Sequence, residues 1–196
     1  MDFYIVRHGQ TDFNTLGYYQ GCLLNPSLNE YGIEQAKRLR QKMNDNGISV
    51  NRVFSSPLRR AYETAQRLTT DFSSIVINET LIEGDFGIAD GAREEEIKTK
   101  LPEEYAKLKD LSNLQFAFKN GQSKEEIGLR MYLALCDIYN HYSRLDNVLI
   151  VSHSCAIRCL LLQLGIKEEN IPFGTIYHLQ IDTDNFRSLK FIERID

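Results

Sequence analysis

Phe3-Tyr4-Ile5-Val6-Arg7-His8-Gly9-Gln10-Thr11 is the stretch from which the rest of the chain is read. Four apolar, β-favouring residues are too few for a helix and describe a short buried strand. Gly9 then lets the chain turn away, so Arg7 and His8 stand at the strand's carboxyl end, where open α/β sheets hold their ligands. His8 can attack as a neutral imidazole. A guanidinium beside it holds anionic oxygens and disfavours protonation of the ring. The pair therefore suggests a nucleophile aimed at a phosphoryl group, although a lone Arg-His dipeptide is more often a surface charge beside an ordinary strand-end histidine.

The chain has 196 residues, enough for one domain with a real core. We expect a single α/β domain over residues 1–196, with a helical insertion or lid at about 88–122. The formal charge is −4 with both signs interspersed, which argues against a nucleic-acid face. The absence of a leader pattern or membrane-length apolar run predicts no membrane partner and a cytoplasmic location. Cys22, Cys136, Cys155 and Cys159 have no metal-ligand spacing, and the four histidines form no paired motif. Neither a metal nor a cofactor is expected.

Farther along, residues 12–26 read as a long loop in which Asn14 and Gln20 are candidate oxygen ligands. Glu30 to Asn44 places Ile33, Ala36, Leu39 and Met43 on one helical stripe. Arg52–Ser55 is a second strand, followed by a helix expected to start at Ser56-Pro57 and to carry Arg59 and Arg60. Chemistry alone leaves those two arginines as rivals for an anion. Ser74–Ile77 is a third strand candidate, and after it Glu83 and Asp85 compete as a proton-transferring carboxylate. Glu94 through Leu111 reads as one or two polar helices interrupted at Leu101-Pro102. A capping box, Ser123-x-x-Glu126, opens a long helix to about Tyr142. Asn147–Ser152 is the most apolar run and reads as a central strand buried on both faces. His153 stands at its end, with Ser154 opening a helix that Gly165 closes. Strands near Thr175–Asp182 and Leu189–Arg194 finish the sheet.

Four segments together carry a family resemblance. Arg7-His8-Gly9-x-Thr11-x-x-Asn14, Ser55-Ser56-x-Leu58-x-Arg60-Ala61-x-x-Thr64-Ala65, Leu81-x-Glu83-x-Asp85-Phe86-Gly87 and Val151-Ser152-His153 followed by Ile157-Arg158 resemble the signatures of the histidine phosphatase superfamily, which includes cofactor-dependent phosphoglycerate mutases. The resemblance implies a three-layer α/β/α fold with a mostly parallel central sheet. It further implies His8 as nucleophile, Arg7, Arg60 and His153 as phosphoryl ligands, and Glu83 as the group exchanging the proton with the leaving oxygen. Asn14, Gln20, Gly21 and Ser154 match positions around the substrate. Departures are Ser154 where relatives usually carry glycine, Asn25 where aspartate is common and Gln122 where glutamate is common.

His8, Arg60, Glu83 and His153 each follow shortly on an expected strand, so parallel strands with right-handed crossovers bring all four to one edge. The expected function is a metal-independent phosphomonoesterase acting through a phosphohistidine on small phosphorylated metabolites. A mutase is the alternative. It is disfavoured because the segment from Gly87 to Gly121 is short, acidic at Glu94-Glu95-Glu96, and poor in arginine. A non-catalytic phospho-ligand binder is a third reading, which has no use for both a nucleophile and a proton donor. The sequence leaves the oligomeric state open.

Overall fold

The computed structural model describes residues 1–142, 146–181 and 189–196. Among them six strands form one sheet: β1 (Asp2–Arg7), β2 (Arg52–Ser55), β3 (Ile75–Ile77), β4 (Asn147–Ser152), β5 (Ile176–Ile181) and β6 (Leu189–Ile195). The helices are α1 (Asp12–Thr15), α2 (Glu30–Asp45), α3 (Arg59–Leu68), α4 (Glu94–Lys100), α5 (Pro102–Lys109), α6 (Lys124–His141) and α7 (Ser154–Gln163). The strand order is β3-β2-β4-β1-β5-β6. The first four are mutually parallel, and only β5 and β6 run antiparallel to their neighbours. The mostly parallel sheet is therefore present.

Side-chain alternation along the strands sorts the core into two layers. Phe3 and Ile5 of β1, Phe54 of β2, and Val148 and Ile150 of β4 pack with Ile127, Met131, Leu135 and Ile138 of α6 and with Ile157, Leu160 and Leu161 of α7. Val6, Val53, Leu149 and Val151, the intervening residues, pack with Leu39 and Met43 of α2 and Ala61, Ala65 and Leu68 of α3. Helices thus cover both sheet faces. The continuous apolar run of β4 is explained by this arrangement, since Val148 through Ser152 are all buried.

Several local expectations need correction. The stretch after β1 is not all loop, because Thr11 and Asn14 form a reciprocal capping box that starts the one-turn helix α1. Helix α3 begins at Arg59 rather than at Ser56-Pro57. Leu58, its N-cap, has extended φ/ψ and no capping side chain. The missing acceptor comes from Asn25, whose Oδ1 takes the Arg59 N–H at 2.6 Å. The last residue of the expected strand Thr175–Asp182 lies outside the described residues. Gly9 is required by proximity: a Cβ there would sit 2.4 Å from the carbonyl oxygen of Gly32, at the start of α2. Gly32 is needed reciprocally, its Cβ position lying 2.1 Å from the Gln10 oxygen.

The segment after β1 also pairs with the segment before α4. Tyr18 and Arg93 form an antiparallel bridge, flanked by Tyr19 N–H to Ala92 O at 2.9 Å and Glu94 N–H to Gly17 O at 2.9 Å. This contact brings α4 and α5 alongside the carboxyl ends of the strands. Their mutual packing is tied by Glu94, which accepts from Tyr105 Oη at 2.7 Å and pairs with Lys109 at 3.1 Å.

Candidate active site

Strand register places the two histidines. β1 and β4 align Arg7 with Ser152, so the next residues, His8 and His153, emerge side by side from adjacent strands, and the His8 N–H still bonds the Ser152 carbonyl at 3.0 Å. The ring centroids lie 5.1 Å apart with planes tilted by 59°, close to the ordinary spacing of about 4.8 Å between neighbouring strands. Both residues are buried, His8 at 3% exposure and His153 at 0%.

Hydrogen bonding fixes how each ring presents itself. His8 Nδ1 faces the Gly9 carbonyl oxygen at 2.6 Å. A carbonyl only accepts, so the proton sits on Nδ1 and the lone pair on Nε2. Burial, then the Arg60 and Arg7 guanidiniums, hold His8 well below the usual imidazole pKa and keep it neutral. His153 Nε2 meets Ser56 Oγ at 2.7 Å, and that oxygen also accepts the Leu58 N–H at 3.3 Å. With the hydroxyl proton on Nε2, the ring proton stands on Nδ1, a buried atom with no partner. Burial and Arg60 likewise push His153 well down.

Cationic groups surround the pair. Arg7 donates to the Ile171 carbonyl at 2.8 Å and lies 3.8 Å from the Phe173 ring centroid, which holds its plane. Arg60 is fully buried, whereas Arg59 is exposed and reaches Glu63 at 3.8 Å. Placement thus sets Arg60, not Arg59, among the buried groups around the histidines. Arg60 spends Nη1 on Leu24 O at 2.7 Å and Nη2 on Gln20 O and Gly21 O at 3.3 and 3.2 Å. Its Nε, like that of Arg7, is buried without a partner. Burial pulls both arginines down to about 10, so both remain cationic across the neutral range.

A cavity of about 270 Å³ opens beside this cluster, walled by Arg7, His8, Asn14, Gln20, Glu83 and Ser154, with the fully buried Arg60 and His153 not on its wall. Thr11, a residue not singled out as a ligand from sequence, orients two of these. Its N–H bonds Asn14 Oδ1 at 3.0 Å and its hydroxyl bonds Gln20 Oε1 at 2.7 Å. Both amide oxygens are thereby occupied, and the Gln20 Nε2 donor is left buried without a partner. Among the described residues, five buried side-chain nitrogens without a partner, Arg7 Nε, Arg60 Nε, Gln20 Nε2, His153 Nδ1 and Arg158 Nε, lie in or beside the cluster. Orphaned buried donors are costly unless a ligand satisfies them.

Glu83 is brought to the cavity by the segment after β3. Its carboxylate accepts from Gly84 N–H at 2.9 Å, Ala156 N–H at 2.9 Å and Cys155 N–H at 3.1 Å. His153 is the N-cap of α7 but its side chain makes no capping bond. Glu83 caps that helix from a distance, which leaves the imidazole free for the site. Asp85, the rival, instead accepts the Gly87 N–H at 2.8 Å. Gly21 is not on the cavity wall: its N–H bonds Asp90 at 2.6 Å, its carbonyl takes Arg60, and a Cβ there would lie 2.7 Å from the Gly84 oxygen. Gly21 thereby sits where two loops pack closely.

The outer wall includes Tyr19, Phe86, Glu94, Lys109, Arg158 and Asn170. Of these, Phe86 and Arg158 carry a sequence signal as members of the third and fourth motifs; the rest are assembled by tertiary packing. At two of the departures the amide oxygen accepts from the backbone: Gln122 Oε1 takes the Asp85 N–H at 3.2 Å and Asn25 Oδ1 the Arg59 N–H at 2.6 Å. Among the described residues, Cys22, Asp85 and Asp90 are the three side chains close enough to share a cation. Asp85 and Asp90 are already accepting from backbone N–H groups.

The family model of the histidine phosphatase superfamily (branch 1) matches residues 3–193. The chain belongs to this superfamily. A phosphoserine phosphatase of Hydrogenobacter thermophilus is 33% identical over 168 residues, covering 84% of this chain and 77% of that protein. The bifunctional 6-phosphofructo-2-kinase/fructose-2,6-bisphosphatase 4 of Rattus norvegicus is 30% identical over 172 residues. The match takes in 87% of this chain but only 34% of that enzyme, so the chain spans about a third of that relative's length. In three dimensions, a mycobacterial glucosyl-3-phosphoglycerate phosphatase shares the superfamily fold with a TM-score of 0.83, at 23% identity over 97% of this chain and 96% of the other. A phosphoserine phosphatase of Entamoeba histolytica bound to phosphoserine gives 0.81 at 24% identity, over 98% and 95%. These two likenesses show the α/β fold. Among the described residues no helix is long and apolar enough to cross a membrane.

Proposed function

We propose that the chain is a phosphomonoesterase that passes the phosphoryl group through His8 and releases it to water, acting on small phosphorylated metabolites. The observation that carries this reading is the neutral, tautomer-fixed His8 set among buried donors that have no acceptor of their own. Phosphatases among its relatives, including one at 33% identity, support the same reaction class.

His8 Nε2 attacks phosphorus while the P–O bond to the leaving group breaks. The ring gains positive charge as the P–N bond forms, and the Gly9 carbonyl faces its Nδ1–H. Arg7, Arg60 and His153 donate to the equatorial oxygens, where charge builds in the transition state. Glu83, as the carboxylic acid, gives its proton to the leaving oxygen. As the carboxylate it then takes a proton from the water that attacks the phosphohistidine, the P–N bond breaks, and neutral His8 returns. The guanidiniums and His153 supply the charge stabilisation that a metal supplies in other phosphoryl-transfer sites, so this scheme needs no cofactor.

The test is hydrolysis of p-nitrophenyl phosphate with and without EDTA, in wild type and His8→Ala. Chelator-resistant turnover that disappears in His8→Ala supports the reading. Bisphosphoglycerate-dependent isomerisation of phosphoglycerate, with feeble hydrolysis, overturns it in favour of a mutase. Phosphate-ester binding without turnover overturns it in favour of a binding module.

A further inference from the structure

Glu83 sits in a stretch without regular strand or helix hydrogen bonding at its own position, yet the backbone around it is held at every carbonyl from Thr80 to Asp85. Arg130, on α6, donates through Nη1 to Thr80 O at 2.6 Å and Ile82 O at 2.9 Å, and through Nη2 to Glu83 O at 3.4 Å. The remaining carbonyl of that run, Leu81 O, takes the Ser152 hydroxyl at 2.8 Å. Next in line, Gly84 O accepts the Cys22 N–H at 3.1 Å and Asp85 O accepts the Gln122 N–H at 2.8 Å. Ile127, one helical turn before Arg130, packs so closely that a Cβ on Gly84 would lie 2.5 Å from its Cδ1. Three of these six carbonyls thus depend on a single guanidinium.

We propose that Arg130 is the positioning residue of the proton-transferring carboxylate: it fixes the 80–83 backbone so that Glu83 reaches the α7 N-terminus and the cavity in one geometry. This rests on the reading of Glu83 as proton donor. A planar fork with donors on both terminal nitrogens suits three carbonyls that splay along an irregular segment, and an ammonium on a single point does not. Without Arg130 these carbonyls lose their partner, and the carboxylate is released to sample positions off the leaving-group oxygen. Misplacement of about 1 Å at a reacting group costs on the order of 100-fold in rate. The effect falls on protonation of the leaving group and spares the nucleophile, since His8 is held by Gly9 and Ser152 rather than by α6.

Leaving-group dependence separates positioning from general support. p-Nitrophenolate departs with little protonation, whereas an alkoxide requires it. The experiment measures kcat/KM, which reports the step in which the leaving group departs rather than hydrolysis of the shared phosphohistidine, for p-nitrophenyl phosphate and for whichever alkyl phosphate in a panel the wild type turns over fastest, in wild type, Arg130→Met, Arg130→Lys and Glu83→Gln. Because both substrates are read on the same sample, a partly unfolded fraction lowers both rates alike and cancels from their ratio. Arg130→Met is expected to lower the alkyl-to-aryl kcat/KM ratio by about 100-fold, Arg130→Lys by less, and Arg130→Met combined with Glu83→Gln by no more than Glu83→Gln alone. Should Arg130→Met fail to fold, the ratio in Arg130→Lys decides. An unchanged ratio in the arginine variants, with Glu83→Gln showing the loss, overturns the role of Arg130 alone. An unchanged ratio in Glu83→Gln overturns the reading of Glu83 on which it rests.

Discussion

The rings of His8 and His153 face each other at 5.1 Å across the junction of β1 and β4, and neither can be protonated there cheaply. Each is buried and faces guanidinium charge, so each has its pKa driven well below the usual value in the folded protein. In the unfolded chain both return to about 6.5.

The sign of the resulting pH dependence follows. With a depressed folded pKa, the unfolded state binds more protons once the pH falls below about 6.5, so stability is fully present above that value and lost progressively beneath it. Thermal unfolding should show a midpoint that is flat from pH 8 to 7 and falls on acidification through pH 6 and 5. His8→Asn and His153→Asn should each reduce that slope. An equal acid slope in wild type and both variants contradicts the assignment of two neutral buried imidazoles.

Thr11 makes a second prediction, because it fixes two amides without lining the proposed reaction path. Thr11→Val removes the hydroxyl that holds Gln20 Oε1 and leaves a buried acceptor unsatisfied. A lost hydrogen bond of about 1 kcal/mol corresponds to roughly fivefold. We expect KM to rise by about that factor with kcat changed less, measured by steady-state hydrolysis; an unchanged KM contradicts the role given to Gln20.

Ser56 sets the tautomer of His153 through the 2.7 Å contact to Nε2. In Ser56→Ala the ring is free to place its proton on either nitrogen, so the Nδ1 donor is present only part of the time. The expected outcome is a fall in kcat/KM of about tenfold with little change in unfolding temperature, consistent with loss of one hydrogen bond to the transition state. Ser56→Thr, which keeps the hydroxyl, should recover most of it. Equal activity in all three proteins contradicts the arrangement.

Much of this architecture could be read from residue patterns. The β4 run from Val148 to Ser152 announces a strand buried on both faces because every residue is apolar or small. The capping box at Ser123 and Glu126 marks the start of α6 because that pairing is local. Arg60 and Glu83 needed family resemblance, since chemistry alone did not separate them from Arg59 and Asp85. The start of α3 is not legible locally because its cap comes from Asn25, 34 residues away. Helix α1 has a local signal, the Thr11-x-x-Asn14 capping box, but a single turn carries no apolar periodicity to mark it as helix. Arg130 was invisible for a different reason: on the helix it is one more polar flank residue, and only the folded loop of residues 80–83 gives it partners.

The central claim is that His8 carries the phosphoryl group between substrate and water. Rapid quench of wild type with a 32P-labelled phosphomonoester, followed by peptide mapping under alkaline conditions that preserve phosphohistidine, tests it most directly. The account predicts acid-labile label that appears within one turnover, maps to His8, and is absent from His8→Ala. Label on another residue, or full turnover with no protein-bound phosphate and undiminished activity in His8→Ala, would contradict it.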